Sequence, residues 1–188
     1  MIYPIVAYGD PVLKKAAEDI EKGELDVQKL SEDMFETMYQ AHGVGLAAPQ
    51  IGKSLRMFIV DSTSMAEDEE DMKPLVQTFI NPEIIEESGE AWVFEEGCLS
   101  IPMIREDVTR EERIVIRYFD TNWEEHEETY VGIHARIIQH EYDHIEGILF
   151  TDHLTSLKRR LLKKRLQNIS KGHVDVDYRM KFPMVKRR

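Results

Sequence analysis

The chain has 188 residues, 42% hydrophobic and 32% charged, with 24 Lys/Arg against 36 Asp/Glu for a net charge of −12. That composition belongs to an ordinary globular domain large enough to bury one core. No apolar run approaches the ~18–20 residues that span a bilayer, and a single cysteine, Cys98, excludes an internal disulfide and fits a reducing cytosol. The opening MIYPIVAYGDPVLKK has neither the charged-then-apolar layout of a secretory leader nor the Arg/Ser richness of a transit peptide. Val27, Leu30, Met34, Met38 and Ala41 then fall on one helical stripe, with Gly43 placed to stop it. HGVGLAAPQIG (42–52) follows; it lacks the preceding strand and the further glycines or Lys-Ser/Thr of a nucleotide loop, and on its own reads as a tight turn. LRMFIVD (55–61) reads as a strand, EDEED (67–71) as a solvated loop, and LVQTFINPEII (75–85) as a strand closed by Asn81-Pro82. RIVIRYFD (113–120) alternates apolar and charged residues like a half-buried antiparallel strand, and Asn122-Trp123 turns it toward HEETYV (126–131). From about Ile133 the spacing is helical again, with Gly147 as the stop, and LTSLKRRLLKKRLQNIS (154–170) is a second amphipathic helix before a strand-like tail. These elements predict an α+β fold: antiparallel β-sheets packed around a central metal-binding helix, with a C-terminal helix. The expectation is one domain over 1–188, with a basic helix and tail from about 154.

Charge is unevenly spread. From Lys158 to Arg188 there are 12 basic residues and two acidic ones, Asp175 and Asp177, so this part carries +10 and the preceding 157 residues carry −22. An acidic body with a basic tail suggests an anionic partner such as nucleic acid; the plainer alternative is a solvated helix. Leu157, Leu161, Leu162 and Leu166 are expected to form its docking stripe, with Lys158, Arg159, Lys163, Lys164 and Arg165 facing solvent.

The chemistry concentrates in QHEYDHIEGILF (139–150). On a helix, positions four apart lie one above the other, so His140 and His144 can direct two imidazoles at one ion while Glu141 leans toward it without binding. There Glu141 can take a proton from an activated water. A third ligand is needed. No glutamate follows Glu146, Phe150 stands where one protease pattern places its last histidine, and His153 falls past the glycine as a weak candidate. Cys98, in EEGCLSIP (95–102), is the remaining ligand of good affinity; two imidazoles and a thiolate leave a fourth position for water or substrate. Gly97 beside it lets the backbone approach the ion. In the glycine-rich stretch Gln50 offers an uncharged donor of the kind that steadies an oxyanion.

Taken together, Gly43-Val44-Gly45-Leu46-Ala47-Ala48-Pro49-Gln50, Glu96-Gly97-Cys98-Leu99-Ser100 and Gln139-His140-Glu141-Tyr142-Asp143-His144 resemble, in order and spacing, the three motifs of bacterial peptide deformylase. The resemblance covers roughly residues 1–155 and implies hydrolytic removal of formyl from the N-terminal formyl-methionine of nascent polypeptides in the bacterial cytoplasm. It implies Cys98, His140 and His144 as metal ligands, Glu141 as general acid/base, and Gln50 with the Leu99 amide as the oxyanion site. It further implies a methionine pocket from Val44, Phe94, Ile133, Arg136 and Ile137, with Gly45 on the peptide backbone and Gly43, Glu96 and Gly97 completing the substrate-binding set. The implied cofactor is one Fe2+, for which Ni2+, Co2+ or Zn2+ can substitute. With a substrate that emerges from ribosomes, the basic helix and tail are expected to meet the ribosome; neither a membrane nor DNA is an expected partner. Two other readings remain: a metallopeptidase cleaving internal peptide bonds with the same ligands, and a ribosome- or RNA-binding module with a structural metal. A closed structural site would need a fourth protein ligand, for which no second Cys exists.

Overall fold

The structure is a computed structural model that describes residues 1–66 and 72–184. The acidic run 67–71, expected as a solvated loop, lies outside the described residues, as do 185–188. In chain order the elements are β1 (Ile5–Val6), α1 (Val27–Gln40), β2 (Gly45–Ala47), β3 (Met57–Asp61), a four-residue α2 (Thr63–Ala66), β4 (Val76–Cys98), β5 (Ile101–Phe119), β6 (Glu125–Val131), α3 (Gly132–Ile145), α4 (Ser156–Ser170) and β7 (Met180–Lys181). β2 to β6 form an antiparallel sheet in that order, and β1 pairs with β7 in parallel. The α+β architecture expected from the sequence is what the chain adopts, with α3 as the central helix.

β3 explains how the layers assemble. Its residues are buried on both faces, which is why MFIV is a continuous apolar run rather than an alternating one. Met57 and Ile59 pack with Leu30, Met34 and Met38 of α1. Phe58 and Val60 point the other way, onto Ala135, Ile138 and Ile145 of α3. A third cluster joins Ile101, Ile104 and Val108 of β5 to Leu162, Leu166 and Ile169 of α4.

Three local expectations are corrected. Asn81-Pro82 does not close a strand: β4 runs through it to Cys98, with register shifts against β5 at Ile80/Glu83, Ile84/Glu86 and Ser88/Ala91. Asn81 adopts a left-handed conformation (φ 48°), and its side chain accepts from the Ile20 amide at 2.8 Å and donates to the Ile20 carbonyl at 2.9 Å. Asparagine tolerates that backbone, so the pair makes a bulge and not an end. Helix α1 already ends at Gln40, and His42 rather than Gly43 takes the left-handed position after it (φ 56°), with the Gly43 amide returning to the Met38 carbonyl at 3.0 Å. Gly43 is small for another reason, since a Cβ there would lie 2.8 Å from Leu99 Cδ1. On α4 the docking stripe is Leu162, Leu166 and Ile169, at i, i+4 and i+7, whereas Leu157 and Leu161 are 63% and 71% exposed. Lys158 is not free either; its ammonium meets Glu106 at 2.8 Å.

Candidate metal centre

α3 carries His140, Glu141 and His144, and the two-residue turn Leu99-Ser100 joins β4 to β5 immediately after Cys98. The turn is tight because Cys98 pairs with Ile101, which folds the end of the long ribbon onto the middle of the helix. Cys98, His140 and His144 thereby offer ligand atoms that all lie within 4.8 Å of one another. The thiol stands 3.3 Å from His144 Nε2 and 3.4 Å from Gln50 Nε2.

The residues fit a divalent cation. Burial alone would raise the Cys98 thiol, but the His144 charge and hydrogen bonds from His140 and His144 outweigh it and bring the thiol down to about 5. A group that is a thiolate at neutral pH is the form that ligates metal. Glu141 is 4% exposed and its Oε2 has no protein partner, an isolation that burial answers by raising its carboxyl to about 7 despite both histidines. A buried polar atom left unpaired next to a thiolate and two imidazoles marks a place for an ion and water.

A second layer aims the ligands. Glu96, buried on β4, accepts from His140 Nδ1 at 2.9 Å, Arg110 Nε at 2.7 Å and Nη2 at 3.0 Å, and Arg136 Nη1 at 3.0 Å. Burial opposes its ionisation, yet His140 and Arg110 hold the carboxyl far below the usual range. An ionised carboxylate only accepts, so the Nδ1–H of His140 donates to Glu96 and Nε2 is the ring nitrogen left for the thiolate or an ion. Arg110 continues to Asp143 at 2.8 Å, which also accepts from His153 Nε2 at 2.7 Å. His153 is thus engaged on the far side of Asp143 and not in the cluster.

The cluster opens into a cleft of about 990 Å³. Every other residue of the expected site lies on its wall: Gly43, Val44, Gly45 and Gln50 from the glycine-rich stretch, Phe94, Glu96, Gly97 and Leu99 around the turn, Ile133, Arg136 and Ile137 from α3. Gln50 is oriented, because its Oε1 accepts from the Ala47 amide at 2.8 Å, which turns Nε2 toward Cys98 and Ser100. Gly45 presses its backbone on the glutamate: a Cβ there would fall 2.7 Å from Glu141 Cδ. Arg136 is buried, donates to the Trp92 carbonyl at 2.7 Å and stacks 4.5 Å from the Trp92 ring, so its charge braces Glu96 and the cleft wall.

Sequence reasoning missed Arg110, Asp143 and the C-terminal segment. Arg110 sits in REDVTREER, where charge on nearly every residue conceals the inward one. Asp143 was inside the helix motif but without a metal role to reveal it. Asp175 to Tyr178 line the cleft although nothing in their composition suggests a site. Asp120, Glu124 and His126 also lie within 4.8 Å of one another, but Asp120 is occupied in capping its own turn through the Asn122 and Glu124 amides.

The chain matches the family model described as polypeptide deformylase over residues 2–160. It is 64% identical over 186 residues to a protein named peptide deformylase from Cytophaga hutchinsonii, covering 99% of this chain and all of that one. A peptide deformylase from Flavobacterium psychrophilum is 50% identical over the full length of both chains. Among solved structures, that of a peptide deformylase from Thermus thermophilus superposes with a TM-score of 0.81 at 38% identity, covering 92% of this chain and 99% of that one. One from Legionella pneumophila gives 0.79, also at 38% identity, over 92% and 98%.

Proposed function

The chain belongs to the polypeptide deformylase family, and from that premise we propose how its residues divide the work. The family's metal-dependent reaction hydrolyses the formyl amide of N-terminal formyl-methionine on nascent polypeptides and releases formate. Neither internal peptide cleavage nor a structural metal is favoured.

In our reading Cys98, His140 and His144 hold the ion, and the observation that carries this is their convergence within 4.8 Å beside an unpaired, buried Glu141. A divalent ion held there would supply water acidic enough to react at neutral pH, with a pKa of about 7. Glu141 takes the proton as the oxygen adds to the formyl carbon, and its carboxyl, poised at about 7, can both receive and return it. Gln50 Nε2 and the Leu99 amide meet the negative oxygen of the tetrahedral carbon. The C–N bond then breaks as Glu141 protonates the departing α-amine, leaving formate and a free methionine N-terminus. Val44, Phe94, Ile133 and Ile137 receive the methionine side chain, while Gly45 and Gly43 give the peptide backbone room and Gly97 lets the chain approach the ion. Glu96 and Arg136 act from behind this surface, by fixing His140 and the wall. Replacing Cys98 with Ala tests the ligand set: two imidazoles alone hold an ion weakly, so elemental analysis should find most metal lost. Stoichiometric metal in that variant would remove Cys98 from the set.

Two imidazoles and a thiolate suit Fe2+, Ni2+, Co2+ and Zn2+, and we assign Fe2+ as the resident ion on the family resemblance. Oxygen attacks both ferrous iron and its thiolate ligand, so the iron form should lose activity in air while the nickel form keeps it. Equal air stability of the two would count against iron.

The site of action is the bacterial cytoplasm, where the substrate arises; among the described residues no helix is long and apolar enough to cross a membrane. Ribosome contact is assigned to α4, whose outer face exposes Arg159, Arg160, Lys163 and Lys164 with Leu157 and Leu161 between them. Reversing charge at Arg159, Lys163 and Lys164 should release the protein from sedimenting ribosomes at moderate salt without changing turnover of a free formylated tripeptide. Unchanged sedimentation would make α4 a solvated helix.

A further inference from the structure

The segment after α4 lies beyond the residues matched by the family model, which end at 160, yet it returns to the active site. β7 pairs in parallel with β1, and Ile5 and Ala7 donate to the Arg179 and Lys181 carbonyls at 2.9 Å. This brings Tyr178 to the cleft wall, where its half-buried ring packs against the same cluster as Leu99 and Met180. Its hydroxyl donates to the Leu99 carbonyl at 2.8 Å.

Leu99 follows the thiolate and supplies the amide assigned above to the oxyanion. It sits in the two-residue turn between β4 and β5. Two hydrogen bonds restrain rotation of the turn's peptide planes. The Tyr8 amide donates to the Ser100 carbonyl at 2.8 Å, and Tyr178 holds the Leu99 carbonyl. Their two chain segments are joined to each other by the β1–β7 pair, so both bonds to the turn come from one structural unit. The Leu99 carbonyl and amide flank a single Cα, and restraining the first limits the swing of the second.

We propose that Tyr178 is a positioning residue for the deformylation reaction, holding the Leu99 amide in line with the developing oxyanion through the Leu99 carbonyl. The proposal rests on the assignment of that amide as an oxyanion donor. A donor that drifts weakens transition-state binding without altering ground-state contacts, so the effect belongs to kcat and not to KM. Tyr178→Phe deletes only the hydroxyl. Its expected cost is about three- to tenfold in kcat, the factor one ordinary hydrogen bond is worth, well short of the ~10²–10³ lost when an oxyanion donor is removed outright.

The test uses nickel-loaded wild type and Tyr178→Phe with formyl-Met-Ala-Ser as substrate, reading formate release, bound metal and thermal midpoint. Support is a fall in kcat of threefold or more per bound metal, with KM within twofold, stoichiometric metal and an unchanged midpoint. Unchanged kcat overturns the proposal. So does a rise in KM alone, which would make Tyr178 a substrate contact, and so does a lower midpoint or metal content with normal kcat per metal, which would make it structural. Absence of formate with the wild type would instead defeat the functional reading itself.

Discussion

Replacing Glu96 with Ala removes the acceptor shared by His140, Arg110 and Arg136. Two guanidinium groups, each less than one-tenth exposed, then lose their common carboxylate. Breaking a buried ion pair from one side costs ~3–5 kcal/mol. Arg110 keeps Asp143 at 2.8 Å and Arg136 keeps the carbonyls of Trp92 and Val108, so the lower figure, about 3 kcal/mol, is the expectation. In a domain of this size each kcal/mol lowers the thermal midpoint by ~2–4 °C, giving a fall of about 6–12 °C. His140 also loses the partner that selects its tautomer, for which metal affinity should drop about 10- to 100-fold. Chelator competition measures the affinity and calorimetry the midpoint. Glu96→Gln separates the two effects, because it preserves volume and one accepting oxygen while presenting an amide to the donors. KM for a formylated tripeptide should change less than twofold in metal-saturated protein, since both Glu96 oxygens are already taken, Oε1 by Arg110 and Arg136 and Oε2 by Arg110 and His140. An Ala variant with native chelator resistance and native midpoint would refute the reasoning.

Gly45→Ala should cut kcat about 100-fold, the cost of displacing a reacting group by about an ångström, because its methyl would fall 2.7 Å from Glu141 Cδ; metal content should stay unchanged, and near-native turnover would show that Glu141 has room to move. Burial raises the Asp143 carboxyl, but His153 and Arg110 hold it below its ordinary 3.8. Its folded pKa being depressed, it contributes stability that is present above about pH 4 and lost as pH falls through the folded value. The advantage of wild type over Asp143→Asn in urea unfolding should therefore be present at pH 5 and shrink toward pH 2; a difference unchanged between pH 5 and pH 2 would contradict it. On α4, Leu162→Ala should cost ~2–5 kcal/mol and Leu161→Ala less than ~0.5 kcal/mol in the same assay, and equally large costs at both would restore the stripe read from sequence.

The sequence was most legible where one residue type answers one chemical need. His140, Glu141 and His144 are local to a single helix, and Cys98 stands alone in its class, so the four could be grouped before any coordinates. α1 was legible because burial of one face writes a period into it, and β3 because burial of both faces leaves a short continuous apolar run. What could not be read depends on partners distant in sequence. Asn81-Pro82 looks like a strand end, and becomes a bulge only because Ile20 supplies both halves of the amide's hydrogen bonding. Arg136 looks out of place in an apolar wall until Glu96, 40 residues earlier, is brought beneath it. The four leucines of α4 spread over about half of the helix circumference, so their spacing could not separate the buried pair from the exposed one; contact with β5 does. Tyr178 carried no signal at all, since its partner is a backbone carbonyl, which has no side-chain identity to recognise.

Glu141→Ala tests the central assignment most directly. Formate released from formyl-Met-Ala-Ser and metal bound per chain would be measured on the same nickel-loaded sample. With Cys98, His140 and His144 intact, the account predicts about one ion per chain and formate release reduced at least ~10²-fold, the scale of a general acid/base contribution. Turnover within tenfold of wild type at full metal occupancy would contradict it, because proton transfer would then have to come from another group.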